Sequence, residues 1–144
     1  MKRLSPYLVI LVFLLPSCGA LKTSNLTQVD ESKYRRLAME KLGEEDVTFT
    51  INGADTYVLC TSEVKGTVQQ PRNNINYLVI NLSDNTIVLE NRVNGGTVSW
   101  YNEKIIQVYL TPGVIRKDQT RDDFITLYNV ETGKSYPKNL KQTH

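Results

Sequence analysis

The chain has little of what most enzyme chemistry needs. It holds one histidine, His144, and two cysteines, Cys18 and Cys60, in 144 residues. A serine or cysteine triad needs a histidine base beside its nucleophile. His144 is the last residue of a polar tail, where chain ends fray. One histidine and two cysteines cannot build a usual zinc site. No Gly-rich phosphate loop opens a helix, because Asn94-Gly95-Gly96 lies between strand-like segments. Excess charge is missing too, with 17 Lys+Arg against 15 Asp+Glu. A near-neutral chain has no long-range field to gather phosphate, so nucleic acid is not an expected partner. The longest apolar run is Tyr7–Leu15 (YLVILVFLL), well short of the roughly 20 residues that span a bilayer.

That run has the length of a signal-peptide core, and Lys2 and Arg3 precede it as a basic n-region. It ends in Leu15-Pro16-Ser17-Cys18. This tetrapeptide resembles the lipobox of bacterial membrane lipoproteins: an aliphatic residue, a variable one, a small one, then cysteine. The resemblance implies a signal peptide over 1–17, cleavage before Cys18, a diacylglycerol thioether on the Cys18 sulfur and fatty acylation, such as palmitate, of the new amino group. In enteric-type lipoproteins an aspartate after the cysteine favours the inner membrane. Gly19 stands here, so in a Gram-negative cell the outer membrane is expected. Each buried CH₂ contributes about 0.8 kcal/mol, and two or more chains anchor stably where one does not. Ordinary secretion, with cleavage after Ala20, is the competing expectation.

Loss of the leader takes Lys2 and Arg3 with it, lowering 17 basic residues to 15, equal to the acids. The 144 residues less 17 leave 127, one ordinary domain. With Cys18 lipidated, Cys60 has no disulfide partner. It sits in Tyr57-Val58-Leu59-Cys60 and is expected to be buried as a small hydrophobe.

Residues 18–28 carry the lipidated cysteine and a small, polar tether. Ten extended residues reach about 33–36 Å. Residues 29–137 read as a single β-rich domain and 138–144 as a polar tail. Tyr34, Leu37, Ala38 and Leu42 recur at helical spacing, so the pattern predicts a helix from an Asp30 N-cap to a Gly43 stop. Its basic residues Lys33, Arg35 and Arg36 read as a solvated face, or as contacts to anionic headgroups. From Val47 the period changes to two. Strands are expected at Val47–Ile51, Thr56–Val64, Ile75–Leu82, Thr86–Val93, Thr97–Tyr101, Lys104–Leu110 and Phe124–Val130. Ile75–Leu82 is apolar on both faces and should be central. Asn94-Gly95-Gly96 is the strongest turn signal. The fold class is therefore mainly β: one N-terminal helix, then about seven antiparallel strands in a small sandwich or partly closed barrel.

No catalytic residue, metal ligand or cofactor site emerges. Asp118, Asp122 and Asp123 share a loop, but their spacing matches no EF-hand and Arg116, Lys117 and Arg121 offset them. The distribution that stands out is tyrosine. By alternation Ser99 and Tyr101 share one face of their strand and Gln107 and Tyr109 one face of the next, with Thr126 and Tyr128 extending it. Val98, Trp100, Ile106, Val108 and Leu110 take the core face. Tyrosine's rigid apolar body and polar tip suit recognition of a protein or glycan. Cross-strand pairing on a solvated sheet would use the same residues. The expected function is a membrane-anchored, non-enzymatic binding or accessory module of the cell envelope. The alternatives are a small envelope hydrolase, or an inhibitor of one, using unidentified carboxylates, and a lipid-binding barrel.

Overall fold

The computed structural model describes residues 31–43 and 46–140. The leader, Cys18, the tether, Asp30 and His144 lie outside the described residues. Among the described residues no helix is long and apolar enough to cross a membrane. Helix α1 (Glu31–Leu42) is followed by β1 (Val47–Ile51), β2 (Tyr57–Val64), β3 (Asn74–Asn81), β4 (Thr86–Asn94), β5 (Gly96–Trp100), β6 (Ile105–Leu110), β7 (Ile125–Asn129) and β8 (Ser135–Pro137). A short 3₁₀ turn, Arg121–Phe124, leads into β7.

The strands form two antiparallel four-stranded sheets, β1-β2-β3-β4 and β5-β6-β7-β8. Alternation in β2 and β3 explains the layering. Val58, Cys60, Leu78, Ile80 and Leu82 point to one side, where Tyr34 and Ala38 of α1 meet them. Leu59, Tyr77 and Val79 point to the other, where Ile106 and Val108 of the second sheet meet them. The first sheet is thus the middle layer, and β3 is buried on both faces as its sequence required. A β-bulge opposite Val79/Ile80 lets Ile87 pack toward the helix while Val88 and Leu89 both pack toward the second sheet. Arg35 is engaged locally: its Nε donates to Glu31 Oε1 at 2.7 Å and its guanidinium lies 4.4 Å from the Phe49 ring centre.

Between the sheets, Asn94-Gly95-Gly96 makes a turn that closes no hairpin. Asn94 pairs with Asn74 in the first sheet and Gly96 with Leu110 in the second, so β4 and β5 are one strand bent at Gly95. Gly95 has φ +72°, which favours glycine, and the Arg72 side chain packs beside it. A Cβ on Gly96 would overlap the Tyr109 carbonyl. At the far end the buried Asn52 joins the layers. Its Nδ2 donates to Thr56 Oγ1 at 2.9 Å and to the Glu103 carbonyl at 2.6 Å, and its Oδ1 accepts from the Thr56 and Tyr57 amides.

One expectation changes: an eighth strand, β8, follows the seven expected and pairs with β7 at the end of the 29–137 domain. Of the two packings expected, the sandwich is the one formed: the strands lie in two four-stranded sheets that do not close into a barrel.

The corner makes a direct prediction. Gly96→Ala should destabilise the fold by about 1–3 kcal/mol or more, because backbone must move to admit the methyl. Gly53→Ala is the control: its Cβ would meet only Glu103 Cγ, at 3.8 Å. That change should be neutral or stabilising by up to about 1 kcal/mol. Urea unfolding of both variants checks this, and equal midpoints would count against the corner.

Candidate functional site

The register of β5–β8 decides which residues share its outer face. Ser99 pairs with Gln107, Gln107 with Leu127, and Leu127 with Tyr136. The neighbouring row is Thr97, Tyr109 and Ile125. Paired residues of antiparallel strands point the same way. Ser99, Gln107 and Tyr109 therefore belong to one outward face, and Gln107 Nε2 donates to Ser99 Oγ at 3.1 Å. Tyr101 follows the end of β5, where its amide donates to the Ile105 carbonyl at 2.8 Å. It continues that face and is 50% exposed. Tyr109 is half-buried, and four residues of β6 put it about 13 Å from the Tyr101 rung. The two tyrosines flank the Ser99–Gln107 pair instead of touching.

Each tyrosine lies beneath a cation. The Arg121 guanidinium is 4.9 Å from the Tyr109 ring centre and Lys138 Nζ is 5.6 Å from that of Tyr101. Both cations are themselves fixed. Arg121 opens the 3₁₀ turn whose Thr120 amide donates to Asp123 Oδ2 at 2.6 Å. That hydrogen bond, with a further one from Asn139, holds the Asp123 carboxyl below the usual carboxylate range. Lys138 donates to Asp122 Oδ1 at 3.0 Å. Asp122 and Asp123 are thus spent on the scaffold of this face. Among the described residues no three His, Cys, Asp or Glu side chains gather as a metal ion would need.

Tyr128 is a correction. It pairs with Ile106, and Thr126 with Val108, so both point inward, and Tyr128 packs on the inter-sheet core. Ile125 and Leu127 take the outer face instead and are nevertheless buried. Trp100 packs on the core as expected but is only half-buried, and its Nε1 donates to the Thr50 carbonyl across the layers at 2.8 Å. Leu110, assigned to the core face, is exposed at the end of β6.

A second feature was invisible in the sequence. Four turns converge at the Asn52 end around an open cleft of about 700 Å³ lined by Asp55, Tyr57, Asn81, Glu103, Lys104 and Glu131, among others. Lys104 Nζ and Glu131 Oε1 are 3.0 Å apart, which balances one carboxylate. These acids are far apart in the chain, and only the stacking of the sheets gathers them.

Cys60 lies at the helix-facing core with no exposure, and burial pushes its thiol from 9.0 up to about 12. Comparison with protein-family models, curated proteins and solved structures finds no match.

Cys60 should therefore resist alkylation at pH 8 in the folded state and react fast only in denaturant, since the thiolate is the reactive form. The linked stability has a definite sign. The folded state holds this proton more tightly, so the contribution is complete below pH 9 and is lost as pH rises toward about 12. Native-state alkylation followed by mass spectrometry checks it, and a rate equal to that in denaturant would contradict the packing.

Proposed function

We propose that the chain is a cell-envelope lipoprotein, anchored through acyl chains on Cys18, whose β5–β8 outer face is a non-enzymatic binding surface for an envelope protein or glycan. The observation that carries the binding reading is the contrast between the two outer faces. The first sheet gives its outer face to α1. The second keeps a hydrogen-bonded Ser99–Gln107 pair there, flanked by Tyr101 and Tyr109 under cations. Held rings with polar tips cost little entropy to bind against, which is why aromatic residues dominate recognition surfaces. The anchor rests on Leu15-Pro16-Ser17-Cys18 and the leader before it. Gly19 favours the outer membrane in a Gram-negative cell.

A second reading has one observation behind it. The cleft brings Asp55, Glu103 and Glu131 to one place, and carboxylates about 5–10 Å apart are what glycoside hydrolysis uses. With Glu131 paired to Lys104, Asp55 and Glu103 are the acids this reading would use. If Asp55→Asn or Glu103→Gln abolished a hydrolytic activity on envelope glycans, the enzyme reading would replace the first.

Two measurements test the main proposal. Cells fed a clickable fatty acid should label the native protein and not Cys18→Ala; equal labelling would remove the anchor. Tyr101→Ser should leave stability within about 1 kcal/mol, because an exposed cation–π contact contributes no more. It should weaken partner capture from detergent-solubilised membranes by about 2 kcal/mol. Tyr109→Ser should cost about 1–3 kcal/mol of stability, since that ring is half-buried beside Ile125. Capture unchanged by Tyr101→Ser would sink the binding face.

A further inference from the structure

An edge strand leaves one row of backbone groups without a ladder partner. Among the described residues β4 is the longest edge, with nine residues against five in β1 and β5 and three in β8, which ends in Pro137. The phase of its hydrogen bonds is set at the corner, where the Gly95 amide donates to the Asn73 carbonyl at 2.8 Å. Antiparallel ladders alternate, so Val93, Asn91 and Leu89 bond to β3, and the amides and carbonyls of Glu90 and Arg92 point to the open edge. The Arg92 amide agrees, for it donates to Asn91 Oδ1 at 2.8 Å. Glu90, Asn91 and Arg92 are all exposed, and α1 packs chiefly on β1, β2 and β3. Glu90 pairs with Leu78 and Arg92 with Asn76, so both charges stand on the helix-facing side. They are the only charges of β4 (TIVLENRVN), and among the described residues neither has an ion-pair partner.

We infer that β4 pairs antiparallel with β4 of a second copy, about a two-fold axis at Asn91. The charges choose this register. With Asn91 facing the partner's Asn91, Glu90 lies opposite the partner's Arg92 and Arg92 opposite the partner's Glu90. Leu89 then meets the partner's Val93 on the second-sheet side. Shifting the pairing by two residues, the smallest shift that keeps the backbone phase, sets Arg92 against Arg92 or Glu90 against Glu90. Charges on an edge ordinarily keep other strands away. Here one acid and one base two residues apart make the edge complementary to itself, which an unrelated strand would match only by chance. The bulge opposite Val79/Ile80 confines the pairing to residues 89–93, where Glu90 and Arg92 each exchange both backbone bonds with the other copy. Asn91 Oδ1 has to release the Arg92 amide first. A contact this short is weak and reversible. It stands on the strand alone; an anchor on Cys18 would only raise the local concentration.

The test is disulfide trapping in the full chain, in detergent and dilute enough that few micelles hold two copies. Facing residues at a position without inter-strand bonds have Cα atoms about 4.5 Å apart, within disulfide reach. Asn91→Cys should therefore bridge two copies rapidly under a mild oxidant. Thr86→Cys, exposed on the same strand, should not, because the axis at Asn91 puts it roughly 30 Å from its mate. Cys60 is buried, and the unsubstituted chain under the same oxidant accounts for any bridge through Cys18. Glu90→Arg or Arg92→Glu, added to Asn91→Cys, should slow bridging about tenfold, since both symmetric pairs then oppose like charges. The two together should restore the rate. All these positions are exposed, and equal urea midpoints would show that the variants are folded. Asn91→Cys bridging no faster than Thr86→Cys would overturn the inference. So would a combined swap no faster than the single ones. Asn91→Cys that bridges in intact cells only to another protein would overturn it too, making the occupant a different strand.

Discussion

The Tyr109 carbonyl lies where a Gly96 side chain would be, and the Arg72 stem fills the space beside Gly95. That close approach lets one strand serve two sheets. Before the bend it completes the first sheet against β3, and after it the strand opens the second against β6. The layers are then fixed by chain continuity at one end and by hydrogen bonds at the other. Asn52 spans from its own turn to the Glu103 carbonyl, and Trp100 reaches the Thr50 carbonyl. Asn52 is buried with its amide fully used, so truncating it would strand polar groups at about 1–3 kcal/mol each. The corner also sets what lies beside what. Loops 65–73 and 111–120 become neighbours only because β4 and β5 are continuous.

The division of labour between faces follows from β2 and β3. Both strands are apolar on both sides, so they demand a cover on each. One cover is a single helix with a narrow stripe, Tyr34 and Ala38 at its centre. The other is a whole sheet. A sheet that supplies a cover on one side must itself present another side, and this one meets water with serine, glutamine and tyrosine. Ile125 and Leu127 are the exception there. They lie buried in rows with Tyr109, Gln107 and Tyr136. Part of the aromatic surface is therefore structural as well as available for recognition.

Much of the β pattern was legible because alternation and turn chemistry are local. Val47–Ile51 alternates cleanly, and Ile75–Leu82 declared itself central by being apolar on both sides. The errors arise where a neighbour decides. Thr126 and Tyr128 look like an outward pair beside apolar Ile125 and Leu127, yet pairing with Val108 and Ile106 turns them inward. On a strand whose two faces are both half-apolar, hydropathy cannot choose between registers. β8 is three exposed residues ending in Pro137, too short and too polar for any periodicity. Asn94-Gly95-Gly96 correctly signalled a change of direction, but a local signal does not say whether the next strand pairs back or crosses to another layer. The cleft acids are separated by long stretches of chain and have no sequence signature at all.

The opposed ends bear on how a tethered domain would be held. A tether of ten residues, reaching at most about 33–36 Å, is longer than the strands of this domain, since nine residues of β4 span only about 30 Å. A linker of that length restricts distance but not orientation. Orientation would then have to come from the domain's own surface. The end at Gly95 carries exposed valines, an isoleucine and both signs of charge, with Asp46, Glu63 and Asp118 among Lys65, Arg72, Arg116 and Lys117, while the cleft end carries Asp55, Asp84, Glu103 and Glu131 against Lys104 and Lys134. The cleft and the Tyr101 end of the aromatic face both lie at the ends of the strands away from Gly95. The same bend that allows two sheets thus also puts the loops around Gly95 and the open cleft at opposite ends of the domain, so that each end can change its surface without disturbing the other.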